Sequence, residues 1–384
     1  MSSLLFIGHD ASLTGAPYTQ LYLMQWLRAN TAYELELILL RGGPLVTEFA
    51  KISRVHVIER SVLNNSVGHR VVQKIRRTLA NPVEQVLRKV SQNKPELIFA
   101  NASLSLDMGV LAKRMMRVPL ILHVHELDST FFYINAEVFS QKTKEVNFFI
   151  PCAQAVKTFC QEKFRIPDNK MQIVYDYAGQ RSADTSTASS VRNEFSISAG
   201  TPLVGAVGTL GWRKGSDLFL QVVKCVAEIG RNDVKFIWLG VDPDSPECKS
   251  LVLDACRLGL SEQILFVKAR PDVKGFYEAF DIFLLTSRED PFPLVCMEAA
   301  SQACPIICFE QGGGMPEFVR DDAGFIVPYG DTAAMAEKTV YLLDHAAERQ
   351  QMGQVGKQRA LDNHTIEATG PQFYHIIQSL VNQE

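Results

Sequence analysis

No apolar run in this 384-residue chain approaches the roughly 20 residues that span a bilayer, so the sequence contains no candidate membrane helix. The start, Met1-Ser-Ser-Leu-Leu-Phe-Ile-Gly8, has no basic segment ahead of its apolar residues and does not read as a secretion signal. The eight cysteines, at 152, 160, 225, 248, 256, 296, 304 and 308, include no C-x-x-C pair and mostly lie in apolar runs, as buried free thiols do. His123 and His125 by themselves leave a zinc site short of ligands, so no metal is expected. These absences place the chain in a reducing cytoplasm, with a peripheral position at the inner face of a membrane as the alternative setting. There is also no G-x-G-x-x-G, which removes the main support for a dinucleotide-dependent hydride transfer.

The composition is that of a globular protein, with 47% hydrophobic and 21% charged residues and a net charge of −3. The charge is unevenly spread: residues 1–180 carry 21 Lys and Arg against 15 Asp and Glu, and the remainder 18 against 27. Much of the positive charge lies between His69 and Lys94, where Arg70, Lys74, Arg76, Arg77, Arg88 and Lys89 alternate with Val, Leu and Ile. Such a surface suits anionic lipid or a lipid diphosphate, and equally a set of solvated helix faces. No recognition motif accompanies it, so nucleic acid is not expected as a partner.

Short apolar runs alternate with helix-length amphipathic segments, the pattern of parallel sheets with crossover helices, and the pattern occurs twice. Strands are expected at Leu4 to Gly8, Glu36 to Leu40, Val55 to Glu59, Glu96 to Asn101, Leu120 to His125, Phe148 to Cys152 and Gln172 to Tyr175. A polar, aperiodic stretch from Ala178 to Ser190 follows. A second set is expected at Leu203 to Val207, Lys235 to Leu239, Ile264 to Val267, Asp281 to Thr286, Pro305 to Cys308 and Phe325 to Pro328. The chain thus reads as α/β, with two doubly wound parallel-sheet domains, one over residues 1–185 and one over 186–364.

The most informative segment is Ser287-Arg-Glu-Asp290-Pro-Phe-Pro-Leu-Val-Cys-Met-Glu298-Ala299. It joins an expected strand to a helix from Leu294 to Ala303, at the strand end where parallel-sheet proteins bind ligands. A helix start there faces an anion favourably. Asp290 and Glu298 stand eight positions apart, about 12 Å of helical rise, enough to engage the two ends of a ligand whose phosphates lie between them. Acidic residues are also common at helix starts for the dipole alone. The segment resembles the E-x7-E motif of retaining glycosyltransferases of family 4, which have the GT-B fold. It departs from that motif in having Asp290 where Glu is usual and Pro293 where Gly is common. Pro293 removes one backbone N–H, while Leu294 and Val295 keep theirs.

Other loops carry the same resemblance. Val207-Gly-Thr209-Leu-Gly-Trp-Arg213-Lys214-Gly-Ser-Asp217 is similar to the family's V-G-R-L-x-x-x-K-G-x-D stretch, whose Arg and Lys grip phosphates. Lys214 matches the Lys, Thr209 replaces the Arg, and Arg213 is the candidate to supply the missing charge, since a guanidinium fork suits phosphate. Gln311-Gly-Gly-Gly-Met-Pro-Glu317 resembles the G-G-x-P-E turn, in which the Glu partly stabilises the fold. Lys268 lies where relatives place the nucleotide base. In the first half, Gly8-His9-Asp10-Ala-Ser-Leu-Thr-Gly15-Ala16-Pro17 resembles the family's first glycine turn, where Gly15 and Ala16 let backbone amides approach the donor; His9 and Asp10 are candidates to contact the acceptor, or residues that simply bracket the turn. His123-Val-His125-Glu126 ends an apolar strand. By resemblance His125 lies near the transferred sugar with Glu126 on the acceptor side, and His123 is the structural histidine.

The resemblance implies two Rossmann-like domains facing across a cleft, with the segment from about Thr365 to the end crossing back onto the first. It implies metal-independent, retaining transfer of a sugar from a UDP-, GDP- or ADP-sugar to a glycan or lipid-linked acceptor, in surface polysaccharide or glycolipid synthesis. His125, Asp290, Arg213 and Lys214 are then the catalytic candidates. Donor contacts fall to Gly15, Ala16, Thr209, Arg213, Lys214, Lys268, Asp290, Phe292, Pro293, Leu294, Val295 and Glu298. A nucleotide-sugar epimerase and a non-catalytic nucleotide-binding subunit of the same fold remain the alternatives.

Overall fold

The computed structural model describes residues 2–58, 82–178 and 185–382. The segment His69 to Lys94 therefore lies partly outside the described residues, as do Glu59 and part of the polar stretch after Ala178. Contacts divide the chain into two compact units. The first comprises Met1–Cys152, Val156–Val174 and Ile366–Glu384, and the second Ala153–Ala155 and Tyr175–Thr365. The first unit's leading portion runs to Val174, ahead of the polar stretch that suggests a boundary in the sequence.

The first unit holds strands β1 (Ser3–Gly8), β2 (Glu34–Leu39), β3 (Arg54–Val57), β4 (Leu97–Asn101), β5 (Leu120–Val124) and β6 (Phe148–Pro151). They pair in parallel in the order β3-β2-β1-β4-β5-β6. β1 is held on both sides, Leu5 opposite Glu36 and Ile98. All six of its residues are buried, which explains why it reads as a continuous apolar run instead of an alternating one. Helix Gly15–Asn30 follows β1, and helix Ile366–Val381 completes the unit. Phe373 on the latter is fully buried, its ring 6.2 Å from Phe99 and 5.1 Å from His123, and Gly370 gives way to the Trp26 ring.

The expected strand Gln172 to Tyr175 does not form. The backbone runs beside β6, with Gln172 donating to the Phe149 carbonyl and Val174 to that of Pro151, but the ladder amounts to a single bridge at Met171. Pro151 has no N–H with which to return a bond, so the pairing cannot propagate.

The second unit holds β7 (Leu203–Val207), β8 (Lys235–Val241), β9 (Ile264–Lys268), β10 (Ile282–Leu285), β11 (Ile306–Phe309) and β12 (Gly324–Val327), in the order β12-β11-β10-β7-β8-β9. Taken by position within the unit, this is the strand order of the first sheet again, read from the opposite edge. Its core joins Phe219, Val222 and Val226 of helix Ser216–Glu228 to Phe236 and Trp238 of β8 and Ile282 of β10. Each such side chain, fully buried, is worth about 1.5–3 kcal/mol. In both sheets the chain changes winding direction between two adjacent strands, β1 and β4 in one and β7 and β10 in the other. The carboxyl ends of those pairs are where doubly wound proteins bind ligands.

Candidate functional site

In the second unit the loops leaving β7 and β10 meet. Asp290 is 5% exposed, and its carboxylate accepts from Lys214 Nζ at 2.5 Å, Arg213 NH1 at 3.3 Å and Ser287 Oγ at 3.2 Å. Burial pushes the Asp290 pKa up, but the two cations and the hydrogen bonds from Lys214 and Ser287 outweigh it and hold the group below the usual carboxylate range. Arg213 also donates to the Glu289 carbonyl at 3.1 Å. Arg213 and Lys214 thus sit beside each other on one carboxylate, with the Arg213 side chain the more exposed of the two.

Backbone geometry fixes this cluster. Gly215 (φ +67°) caps the helix that begins at Ser216, and a Cβ there would overlap the Thr286 carbonyl oxygen. Thr286 Oγ1 in turn donates to the Gly215 carbonyl at 3.0 Å. On the other side, Asp290 N–H donates to the Gly312 carbonyl at 2.7 Å, forming a bridge with Gly313. Gly313 (φ +125°) lies so close that a Cβ would overlap the Asp290 carbonyl oxygen. The triple-glycine turn therefore supports Asp290. Glu317, which follows it, accepts from the Gln154 and Ala155 amides at 2.9 and 2.8 Å and from the Tyr175 hydroxyl at 3.0 Å, a structural arrangement within the unit.

Helix Leu294–Ser301 starts immediately after Pro293, and Leu294 and Val295 stand half-buried in its first turn. Glu298, on the same helix, accepts from the Tyr277 hydroxyl at 2.7 Å. Phe292 departs from the donor-contact expectation: its ring is 4% exposed, stacked on His364 at 5.1 Å and 5.3 Å from Tyr175, so it anchors the turn from inside. Thr209 is exposed in the loop after β7, and Lys268 is exposed at the end of β9. Neither belongs to the Asp290 cluster. Arg288 was not singled out in the sequence, yet it joins the two loops, donating to Asp217 at 2.6 and 2.8 Å and to the Trp212 carbonyl at 2.9 Å. Ser287 and Tyr277 carry no motif of their own; the only sequence signal for Ser287 is its place three residues before Asp290.

In the first unit, the corresponding switch point gathers His9, Asp10, His125 and Glu126. His125 Nε2 lies 3.0 Å from Asn101 Oδ1, and Asn101 Nδ2 donates to the Ala16 carbonyl at 2.8 Å, tying the end of β4 to the start of the first helix. Gly15 opens that helix, and Pro17 falls within its first turn. Glu126 accepts from Ser103 N at 3.0 Å, from Ser103 Oγ at 2.7 Å and from His125 N at 3.0 Å. Ala102, just before Ser103, has φ +73° and ψ 150°, a conformation nearly confined to glycine. Strain of this kind, next to a hydrogen-bonded carboxylate at a strand end, marks a built feature.

Burial lowers the His9 pKa, with Asp10 and Glu126 pulling the other way and His125 and Arg41 adding to the depression. His123 is held far below the ordinary value by complete burial and by His125, whose ring centroid is 3.9 Å away. Asp10 takes part in a local turn, accepting from Ser12 N at 3.1 Å and Ser12 Oγ at 2.8 Å.

Residues 201–345 match the family described as Glycosyl transferases group 1. N-acetyl-alpha-D-glucosaminyl L-malate synthase of Bacillus anthracis is 23% identical over 221 residues, 57% of this chain and 56% of that protein. D-inositol 3-phosphate glycosyltransferase of Nocardia farcinica is 25% identical over 295 residues, 70% of this chain and 64% of its own length. The chain thus spans somewhat over half the length of these two relatives. Among solved structures, Anabaena HepE in complex with UDP superposes with a TM-score of 0.81 at 21% identity, covering 99% of this chain and 100% of that one. Sucrose-phosphate synthase from Thermosynechococcus elongatus gives 0.82 at 17%, with both chains covered fully. Residues 201–345 are a group 1 glycosyltransferase domain, and the chain as a whole has the GT-B fold.

Proposed function

We propose that this protein is a retaining glycosyltransferase that moves a sugar from a nucleotide-diphospho-sugar to a glycan or lipid-linked acceptor in surface polysaccharide or glycolipid synthesis. The observation that carries the reading is the joining of Lys214 and Arg213 on buried Asp290, between the carboxyl ends of β7 and β10. Two fixed cations there, with the helix start at Leu294, are what a departing diphosphate requires. Asp290 holds the cations in place before the donor arrives, so little reorganisation remains when charge develops on the leaving phosphate. Glu298, steadied by Tyr277, is suited to a ribose diol. Retention fits a site whose one buried carboxylate is engaged by three donors and is therefore a poor covalent nucleophile, leaving the departing phosphate to take the acceptor proton on the same face.

The two positive side chains supply the charge that a metal supplies elsewhere, so activity is expected to survive chelation. UDP is supported as the donor nucleotide by the fold likeness to a protein solved with it. Six of the eight cysteines are buried free thiols, which suits a reducing cytoplasm, and no helix among the described residues is long and apolar enough to cross a membrane.

The test is thermal unfolding of the purified protein with UDP, GDP, ADP and their sugar conjugates, in EDTA. Selective stabilisation by one nucleotide, lost in Lys214→Ala, is the expected result. Absence of stabilisation by all of them would defeat the reading and favour a non-catalytic role. Release of an altered sugar nucleotide with no acceptor present would point to an epimerase.

A further inference from the structure

The loop that carries Arg213 and Lys214 is held carbonyl by carbonyl from the loop after β10. Four consecutive carbonyls, those of Trp212, Arg213, Lys214 and Gly215, accept from residues 286–289. Arg288 Nη1 donates to Trp212 at 2.9 Å, the Arg288 and Glu289 amides to Arg213 at 2.8 and 3.3 Å, and Thr286 Oγ1 to Lys214 and Gly215 at 3.3 and 3.0 Å. The backbone from which both cations project is thus set by the other loop.

Arg288 enters that series twice, through its amide and through its side chain. Its guanidinium also forks onto the Asp217 carboxylate at 2.8 and 2.6 Å, in the first turn of helix Ser216–Glu228. Hydrogen bonding by Arg288 holds the Asp217 carboxyl below the usual carboxylate range, against the partial burial that raises it. The Trp212 ring centroid lies 5.6 Å from the guanidinium carbon. A planar fork can engage the carboxylate and the carbonyl together, which a single ammonium does less well. Among the described residues, the Asp290 carboxylate takes its bonds from Lys214, Arg213 and Ser287 and none from Arg288. Asp217 is half exposed, and an ion pair of that kind adds little to stability by itself, which leaves orientation of the loop as its chief effect.

We infer that Arg288 is a positioning residue for the donor's diphosphate: it fixes the backbone course of residues 212–214 that presents Arg213 and Lys214 side by side, its own guanidinium being engaged by Asp217 and Trp212. The inference rests on the glycosyltransferase reading and extends it to a residue outside the cation cluster. Two measurements on the full chain test it, in Arg288→Met, Arg288→Lys and Arg231→Met. Arg231 forks onto Asp233 and reaches Asp344 in the same unit, so its loss controls for removal of a comparable arginine pair. The first measurement needs no ligand. The stability coupling between Lys214→Met and Asp290→Asn, read by urea unfolding, should fall by at least about half in the Arg288→Met background and keep its native size in Arg231→Met.

The second is calorimetric titration with UDP, GDP and ADP against UMP, GMP and AMP. Arg288→Met should weaken the diphosphate that binds about tenfold, because ordering of the loop then falls on the binding step. The matching monophosphate, which meets fewer of these charges, should lose less. Arg288→Lys keeps the charge without the fork and should recover part of the loss. An unchanged coupling in Arg288→Met, or equal losses for diphosphate and monophosphate, overturns the inference, as does a loss in Arg231→Met that matches the one in Arg288→Met. If no diphosphate binds the native protein while the coupling still falls, the positioning role stands and the proposed donor reading fails.

Discussion

Lys214→Met asks how strongly the cation pair is coupled to Asp290. At 2.5 Å and an effective dielectric of about 20, the Coulomb attraction alone is of order 6 kcal/mol. Part of that is recovered when Lys214 is lost, because Arg213 and Ser287 stay within 3.3 and 3.2 Å of the carboxylate. The expected loss of stability is therefore near the lower end of the usual 3–5 kcal/mol for breaking a buried pair, about 3 kcal/mol. Asp290→Asn should cost about 2 kcal/mol, since Arg213 is partly exposed and can turn to water. The double variant should cost about 3 kcal/mol instead of the sum, a coupling of about 2 kcal/mol.

Urea unfolding by tryptophan fluorescence in a Trp26→Phe background makes Trp212 and Trp238 the reporters, both in the second unit. Because pairing lowers the Asp290 pKa in the folded state, its contribution is complete above the unfolded carboxylate value of about 4. It disappears as pH falls through the depressed folded-state value, so the gap between native protein and Lys214→Met should narrow in acid. Additive single-variant effects within about 0.5 kcal/mol would refute the coupled cluster.

Tyr277→Phe removes the hydroxyl that holds Glu298 and should weaken nucleotide binding about fivefold, near 1 kcal/mol, read as a smaller ligand-induced rise in Tm; an unchanged rise would separate Glu298 from the ligand. Gly313→Ala combines positive φ with overlap on the Asp290 carbonyl and should destabilise by at least about 3 kcal/mol, whereas Gly230→Ala, with positive φ but open space, should cost about 1 kcal/mol; similar losses would contradict the bridge. Burial lowers the His364 pKa to about 4; the Asp176 carbonyl opposes this, while Arg359 and Arg320 add to it. The unfolded chain therefore takes up a proton on this residue first, and stability should fall by about 3 kcal/mol as pH drops from about 6.5 to about 4. His364→Phe should lose that dependence in urea titrations, and a slope identical to native would refute it.

The central strands were legible because strands buried on both faces leave continuous apolar runs, as in β1, β4 and β5 of one sheet and β10 and β11 of the other. Gln172 to Tyr175 misled for the same reason: its apolar character is real, but the missing N–H of Pro151 is a property of the neighbouring strand, invisible to a local pattern. Lys214, Arg213 and Asp290 were each visible in their own loops. Their union was not, since 76 positions separate Lys214 from Asp290 and only the pairing of β7 with β10 closes that distance. Its place in the motif makes Phe292 a candidate ligand contact, whereas its burial is decided by Tyr175 and His364, one long before it in the chain and one long after. Ala102 and Ser103 carry no motif at all, and a strained φ cannot be seen in an alanine codon.

Helix Ile366–Val381 has a consequence for synthesis. Nearly all of the second unit lies in one uninterrupted stretch, Tyr175–Thr365, but the first unit keeps a place open for this last helix throughout. As the chain emerges from the ribosome, Phe99 and Trp26 must wait for Phe373 and Gly370, residues translated only after the whole of the other unit. The portion made first is thus among the last to close, and its uncovered apolar face during that interval is where a nascent-chain chaperone would act.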